Sequence, residues 1–203
     1  MIHLSFRAMG TNVEAWCPDD TAGERVRSWF EEVEQVCSRF RSDSELSRVN
    51  RSTDREVSVS RILAEVIRAG EWARDSTDGL VDIGVGSSVV GWGYDRTFEQ
   101  VTSLPNQPVA TPAPEWDLRS RVLRRSPHTI LDLGGIAKGW ACDRAVELGM
   151  ASVVSAGGDI RSVDSGTAVP VVDPWGEMTA RVELGVGGLA TSSTARRRWM
   201  VGS

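Results

Sequence analysis

Residues 152–184, SVVSAGGDIRSVDSGTAVPVVDPWGEMTARVEL, decide the fold class. Four short apolar-rich runs, Ser152 to Ser155, Asp159 to Val163, Ala168 to Val172 and Thr179 to Leu184, are separated by glycines and by Asp173-Pro174-Trp175-Gly176. These connections have the length and chemistry of turns, so the runs read as short strands joined by turns. Strands therefore outnumber helices, and the expected class is α+β, with mixed, largely antiparallel sheets and packed helices, rather than a doubly wound sheet.

Working outward, Ala137, Ala141, Ala145 and Leu148 fall on one side of a helix that stops at Gly149. Arg121 to Arg124 and Thr129 to Leu133 read as a hairpin through Ser126-Pro127. The stretch from Pro105 to Pro114 holds four of the eight prolines and reads as a surface loop. Leu80 to Trp92 mixes apolar residues with Gly84, Gly86 and Gly91, which mark bulges or close backbone approaches. Ile62, Leu63, Val66, Ile67 and Ala73 share one helical side, preceded by a short strand at Glu56 to Ser60. Asp43 to Ser52 reads as a loop or short helix. Val26, Trp29, Phe30, Val33, Cys37 and Phe40 recur at helical spacing, with Thr21 and Glu24 as a capping box, giving a helix from about Gly23 to Phe40. At the start, Met9-Gly10-Thr11 breaks an alternating segment into two strands. No repeat of fixed period appears, and residues 1–203 read as one domain.

Composition excludes several function classes. Lys and Arg number 23 against 28 Asp and Glu, a formal charge of −5, which argues against nucleic acid as a partner. Two histidines, His3 and His128, cannot build a three-His zinc centre or an H-E-x-x-H motif. Three widely spaced cysteines, Cys17, Cys37 and Cys142, fit buried reduced thiols better than a disulfide framework. No apolar run is long enough to span a bilayer, and MIHLSFRAMGT lacks a basic segment followed by an apolar one. The chain as written is expected to be cytoplasmic, or extracytoplasmic if a leader has been removed.

The most informative segment for chemistry is Leu131-Asp132-Leu133-Gly134-Gly135-Ile136-Ala137-Lys138-Gly139-Trp140. Read as a strand entering two glycines and then a helix, it turns backbone N–H groups and the positive helix end toward an unobstructed spot, which suits an anion. Lys138 adds a point charge, and Asp132 is placed to hydrogen-bond a ring or hydroxyl of the same ligand. The alternative is a tight turn with a solvated lysine, and spacing alone leaves both open. It is not a Walker loop, because Gly139 follows Lys138. Ser155-Ala156-Gly157-Gly158-Asp159 reads foremost as a hairpin turn. Thr191, Ser192 and Ser193 offer hydroxyls to a phosphate or a cap, and Arg196 to Arg198 read as a solvated face.

Six segments occur in an order that carries a resemblance. They are Ala8-Met9-Gly10-Thr11; Ser38-Arg39-Phe40 leading to Asp43-Ser44-Glu45-Leu46-Ser47-Arg48-Val49-Asn50; Thr77-Asp78-Gly79-Leu80-Val81-Asp82; Leu131 to Trp140; Ala156-Gly157-Gly158-Asp159; and Ala190-Thr191-Ser192. Together they resemble the ApbE family, the FAD:protein FMN transferases or flavin transferases. The resemblance implies transfer of FMN from FAD onto a threonine of an acceptor protein, with Mg²⁺ required. Carried over by position, it implies that Met9 and Phe40 line the flavin site and that Leu80, Val81 and Asp82 form its wall. It makes Asp132 and Lys138 contacts of FAD, adds Gly157, Gly158, Thr191 and Ser192 to the cofactor-binding set, and places Gly135 where the family gives an oxygen to Mg²⁺. Many members carry Tyr at the position of Phe40, so stacking is retained and one hydroxyl contact is lost.

In the family, a His-containing stretch and later an Asp and a Thr that hold the metal follow the segment with which this sequence closes. The catalytic residue is accordingly unassigned. The expectation for residues 1–203 alone is FAD binding without labelling of a threonine acceptor, since one carbonyl at Gly135 does not retain Mg²⁺. Hydrolysis of FAD to FMN and AMP, or FAD binding without chemistry, are the alternatives.

Overall fold

The computed structural model describes residues 1–101, 111–173 and 175–192. In chain order its elements are β1 (Ile2–Ala8), β2 (Thr11–Cys17), α1 (Asp20–Cys37), α2 (Glu45–Arg51), β3 (Glu56–Ser58), α3 (Arg61–Ser76), α4 (Gly86–Gly91), β4 (Trp116–Arg119), β5 (Val122–Arg125) and α5 (Ala137–Glu147). They continue with β6 (Val153–Ala156), β7 (Asp159–Ser162), β8 (Ala168–Val172), β9 (Met178–Glu183) and β10 (Gly187–Ala190). Every pair of named strands is antiparallel, which bears out the α+β class and the four strands expected from the opening stretch. Among the described residues no helix is long and apolar enough to cross a membrane. The residues separate into two compact units, one of residues 1–31 and 138–192, the other Glu32–Ala137.

The first unit is built on a sheet of order β1-β2-β6-β7-β10. β1 and β2 close through Met9 (φ 52°) and Gly10 (φ 68°), two left-handed residues of the kind that match the twist of a two-residue hairpin. β6 and β7 close likewise through Gly157 (φ 64°) and Gly158 (φ 112°). Val13 and Ala15 of β2, Val26 and Phe30 of α1, Ala141 and Ala145 of α5 and Val154 of β6 are fully buried and form this unit's core. Phe6 meets Phe30 edge-on at 5.9 Å, and the Trp29 indole donates to the Ala141 carbonyl at 3.0 Å, tying α1 to α5. α1 starts three residues earlier than the expected Gly23 and ends at Cys37, leaving Phe40 outside it. Its cap is Asp19, whose Oδ1 accepts the Ala22 N–H at 2.8 Å, in place of the expected Thr21–Glu24 box. β8 and β9 form a separate two-stranded ribbon.

The second unit holds the sheet β3-β5-β4 with α2, α3 and α4. Ser44 caps α2 and Ser60 caps α3 through their side chains. Here the expected hairpin of Arg121–Arg124 with Thr129–Leu133 is replaced: β5 turns back on β4 through Ser120 (φ 56°) and Arg121. The expected strand at Leu131–Leu133 is likewise not a strand, and its only bridge joins Ile130 to Val85. In place of a ladder, the Asn50 side-chain amide brackets Leu131, donating to its carbonyl and accepting its N–H, both at 2.9 Å. Arg125, 2% exposed, has no carboxylate partner among the described residues. Its two terminal nitrogens donate to the carbonyls of Val49 (2.6 Å), Ser52 (2.6 Å) and Thr129 (2.9 Å), and burial pulls its pKa below the ordinary range. The glycines of Leu80–Trp92 serve close approach. A Cβ on Gly86 would lie 2.5 Å from the Ile130 carbonyl oxygen, and the segment from Gly86 to Gly91 is α4. Of the expected loop Pro105–Pro114, residues 105–110 lie outside the described residues, as do Ser193 and Arg196 to Arg198.

Candidate functional site

Six of the twelve expected site residues, Phe40, Leu80, Val81, Asp82, Asp132 and Gly135, belong to the Glu32–Ala137 unit. Asp132 is the centre of this group. Its backbone N–H donates to the Ile83 carbonyl at 2.7 Å, which sets residues 80–83 beside it. Its Oδ2 accepts from Arg39 Nε at 2.9 Å, in an ion pair whose side chains are 7% and 15% exposed. Its Oδ1 accepts the Gly134 N–H at 2.8 Å. Both carboxylate oxygens are thus engaged by the chain itself, so Asp132 first organises the Gly-Gly turn and fixes a cation.

That cation carries the aromatic wall. The Arg39 guanidinium lies 4.4 Å from the Phe40 ring centroid, and Phe40 remains 38% exposed. Nearby, Asp82 Oδ1 accepts from Gly84 N–H (2.7 Å) and from the Trp116 indole (2.8 Å). Arg74 caps the other side of Trp116, 4.2 Å from the ring. Asp82 therefore faces inward, while Leu80 (90% exposed) and Val81 present apolar surface outward.

Met9, Lys138, Gly157, Gly158, Thr191 and Ser192 belong to the other unit. There the chain turns of β1–β2 and β6–β7 and the end of β10 converge. Gly157 N–H donates to Asn12, and Thr191 N–H donates to Gly158 at 3.0 Å. The approach is close enough that a Cβ on Gly157 would lie 2.5 Å from Thr11 Oγ1, and one on Gly158 would lie 3.2 Å from Thr191 Cβ. Asp159 follows immediately. Burial raises its pKa, opposed by the Lys138 ammonium, so these two groups sense each other at the start of α5. Thr191 and Ser192 are exposed at the rim.

The Gly134-Gly135 turn offers fewer N–H donors than the sequence suggests. Gly134 N–H is taken by Asp132, and those of Ile136 and Ala137 are taken by the Leu133 carbonyl. Gly135 is exposed, and among the described residues nothing lies within 4 Å of a Cβ placed on it. The three thiols are buried and unpaired by disulfides, as expected. Burial, seconded by Glu45, pushes Cys37 up to about 12, and burial also raises Cys17 and Cys142, so none is a ready nucleophile.

Magnesium asks for near-octahedral oxygen ligation. Among the described residues no group of three or more His, Cys, Asp or Glu side chains stands close enough to hold a metal. Gly135, the position expected to give Mg²⁺ an oxygen, has only its backbone carbonyl to offer.

Sequence reasoning missed Arg39 as the partner of Asp132, 93 residues away, and Asn50 as the brace of Leu131. Both lie inside quoted motifs, where their unusual polarity beside Phe40 and Val49 was the available signal.

The ApbE family model matches residues 9–203. Among curated proteins, the FAD:protein FMN transferase of Haemophilus influenzae is 26% identical over 199 residues, 80% of this chain and 54% of that protein. The one from Vibrio cholerae is 28% identical over 182 residues, 79% of this chain and 54% of that protein. The chain thus spans about half the length of the curated relatives it matches. Among solved structures, the flavin transferase ApbE from Vibrio cholerae superposes with a TM-score of 0.76 at 25% identity, covering 97% of this chain and 72% of that one. The ApbE protein of Thermotoga maritima, at 23% identity and a TM-score of 0.78 over 94% of this chain and 70% of that one, shares the fold.

Proposed function

Because this chain belongs to the ApbE family, we propose that it serves the transfer of FMN from FAD to an acceptor protein. In this reading a threonine hydroxyl of the acceptor attacks the phosphorus of the FMN half. A new P–O bond forms, the bond to the bridging oxygen breaks, AMP leaves with that oxygen, and the hydroxyl proton is released. The observation that carries the reading is the Arg39–Asp132–Gly134 linkage, which places the aromatic surface of Phe40 and the Gly-Gly turn around one carboxylate. A flat ring and a phosphate need these two surfaces, apolar and open-backbone, within one ligand's reach.

The chain's own residues supply binding and orientation. Phe40, Leu80 and Val81 offer cover to an isoalloxazine, and Lys138 offers charge to a diphosphate. Met9, Gly157, Gly158, Thr191 and Ser192 would supply a second surface, on the other unit. The test is incubation of the protein with FAD and a threonine-containing acceptor, with Mg²⁺ or with chelator, read by intact mass and in-gel flavin fluorescence of the acceptor. Saturable FAD binding with flavin on the acceptor is the result expected of transfer, and failure to bind FAD would overturn the reading.

A further inference from the structure

Arg39 and Tyr94, which the resemblance assigns no role, meet at the exposed edge of Phe40. Tyr94 is the only tyrosine in the chain. Its ring centroid lies 5.3 Å from that of Phe40 at an interplanar angle of 49°. The Arg39 guanidinium lies 5.2 Å from the Tyr94 ring as well as 4.4 Å from Phe40, so one cation is shared by two rings. Phe98 supports Tyr94 edge-on, at 6.2 Å and 78°.

The arrangement is costly in a way that calls for a reason. The Arg39 side chain is nine-tenths buried, its Nε is spent on Asp132, and its Nη2 is buried with no hydrogen-bond partner among the described residues. A buried charge with an unmet donor lowers stability relative to an apolar residue of similar shape. What the guanidinium supplies is a flat, rigid backing that attracts the negative faces of both rings and fixes their tilt. Phe40 is nevertheless more than one-third exposed, so the rings are held firmly and left partly uncovered. Rigid, uncovered aromatic surface suits the stacking of a planar heteroaromatic ligand.

We propose that Phe40 and Tyr94, pinned from behind by Arg39, form a two-ring platform for the isoalloxazine of a flavin, with Tyr94 a stacking residue and Arg39 a positioning residue. This rests on the flavin-transfer reading above and extends it.

The test titrates riboflavin, FMN and FAD into the wild type and into Tyr94→Leu, Tyr94→Phe, Arg39→Met and Arg39→Lys, with the ligand-free melting temperature of each recorded. Riboflavin lacks phosphate and adenine, so it reports on the ring alone. Tyr94→Leu is expected to weaken riboflavin and FAD alike by about tenfold, the scale of removing one aromatic stacking partner. Tyr94→Phe is expected to hold affinity within about twofold while losing part of the quenching of riboflavin fluorescence, because a phenol donates an electron to excited flavin and a phenyl ring does not. Arg39→Met should weaken all three ligands, and Arg39→Lys should restore part of that loss. Unchanged affinity and quenching in Tyr94→Leu would overturn the proposal. So would tighter binding, which would make Tyr94 a plug, or a loss confined to FAD, which would assign the platform to adenine. A folded wild type that binds neither riboflavin nor FAD overturns the flavin reading together with it, whereas equal binding by wild type and Tyr94→Leu overturns the platform alone.

Discussion

Two glycine pairs, Gly134-Gly135 and Gly157-Gly158, look alike in the sequence and differ in kind in the fold. Gly157 and Gly158 are both left-handed, and both are pressed against a neighbour's side chain, Thr11 in one case and Thr191 in the other. Neither Gly134 nor Gly135 has a positive φ, and among the described residues nothing lies within 4 Å of a Cβ placed on Gly135. The first pair is glycine because the hairpin and its neighbours require it. At Gly135 the fold makes no such demand, and an open backbone there is surface left clear. A glycine pair in a sequence thus marks either a constraint or a vacancy, and only the backbone angle and the neighbours tell which.

The largest expected effect breaks the constrained pair. Gly157→Ala should lose about 3–5 kcal/mol, combining left-handed strain with overpacking against Thr11, and denaturant unfolding measures it. A loss below about 1 kcal/mol would erase the contrast. Next comes the carboxylate that holds the open pair. Asp132→Asn leaves the Arg39 guanidinium buried without its counter-charge and should cost about 3 kcal/mol, a fall of roughly 6–12 °C in melting temperature. From the sequence, this carboxylate reads as a ligand contact whose loss spares apo stability; the Arg39 pairing revises that expectation. Smaller still, Lys138→Ala should weaken FAD by about tenfold and leave riboflavin unchanged, as removal of one charge-assisted contact to phosphate does. The smallest effect sharpens the comparison. Gly135→Ala should change stability by no more than about 0.5 kcal/mol, so any loss of FAD affinity in that variant reports on the cleared surface alone.

Legibility followed the range of the interaction. Periodicity exposed α1 and α3, and Met9-Gly10 and Gly157-Gly158 exposed their hairpins, because these signals are local. The true start of α1 was missed because Asp19, one residue after Pro18, caps as well as Thr21 does. The β4–β5 turn was missed because Ser120 adopts the left-handed conformation without the glycine that usually announces it. Within the site, the open Gly135 was legible, but the engagement of Asp132 was not. A carboxylate at the entry to a glycine turn looks free until Arg39 arrives from another part of the chain.

The Asn50 amide that brackets Leu131 has a consequence for solvent exchange. Leu131 N–H is held by a side chain and Asp132 N–H by the Ile83 carbonyl, although neither residue belongs to a strand or helix. Amides of irregular segments ordinarily exchange with deuterium quickly, because local fluctuations free them. Here the protecting groups are Asn50, on a helix whose carbonyl end is clamped by Arg125, and a backbone that moves with residue 83. Residues 131–132 are therefore expected to exchange slowly within a segment that has the outline of a loop, held as a strand is held without belonging to a sheet.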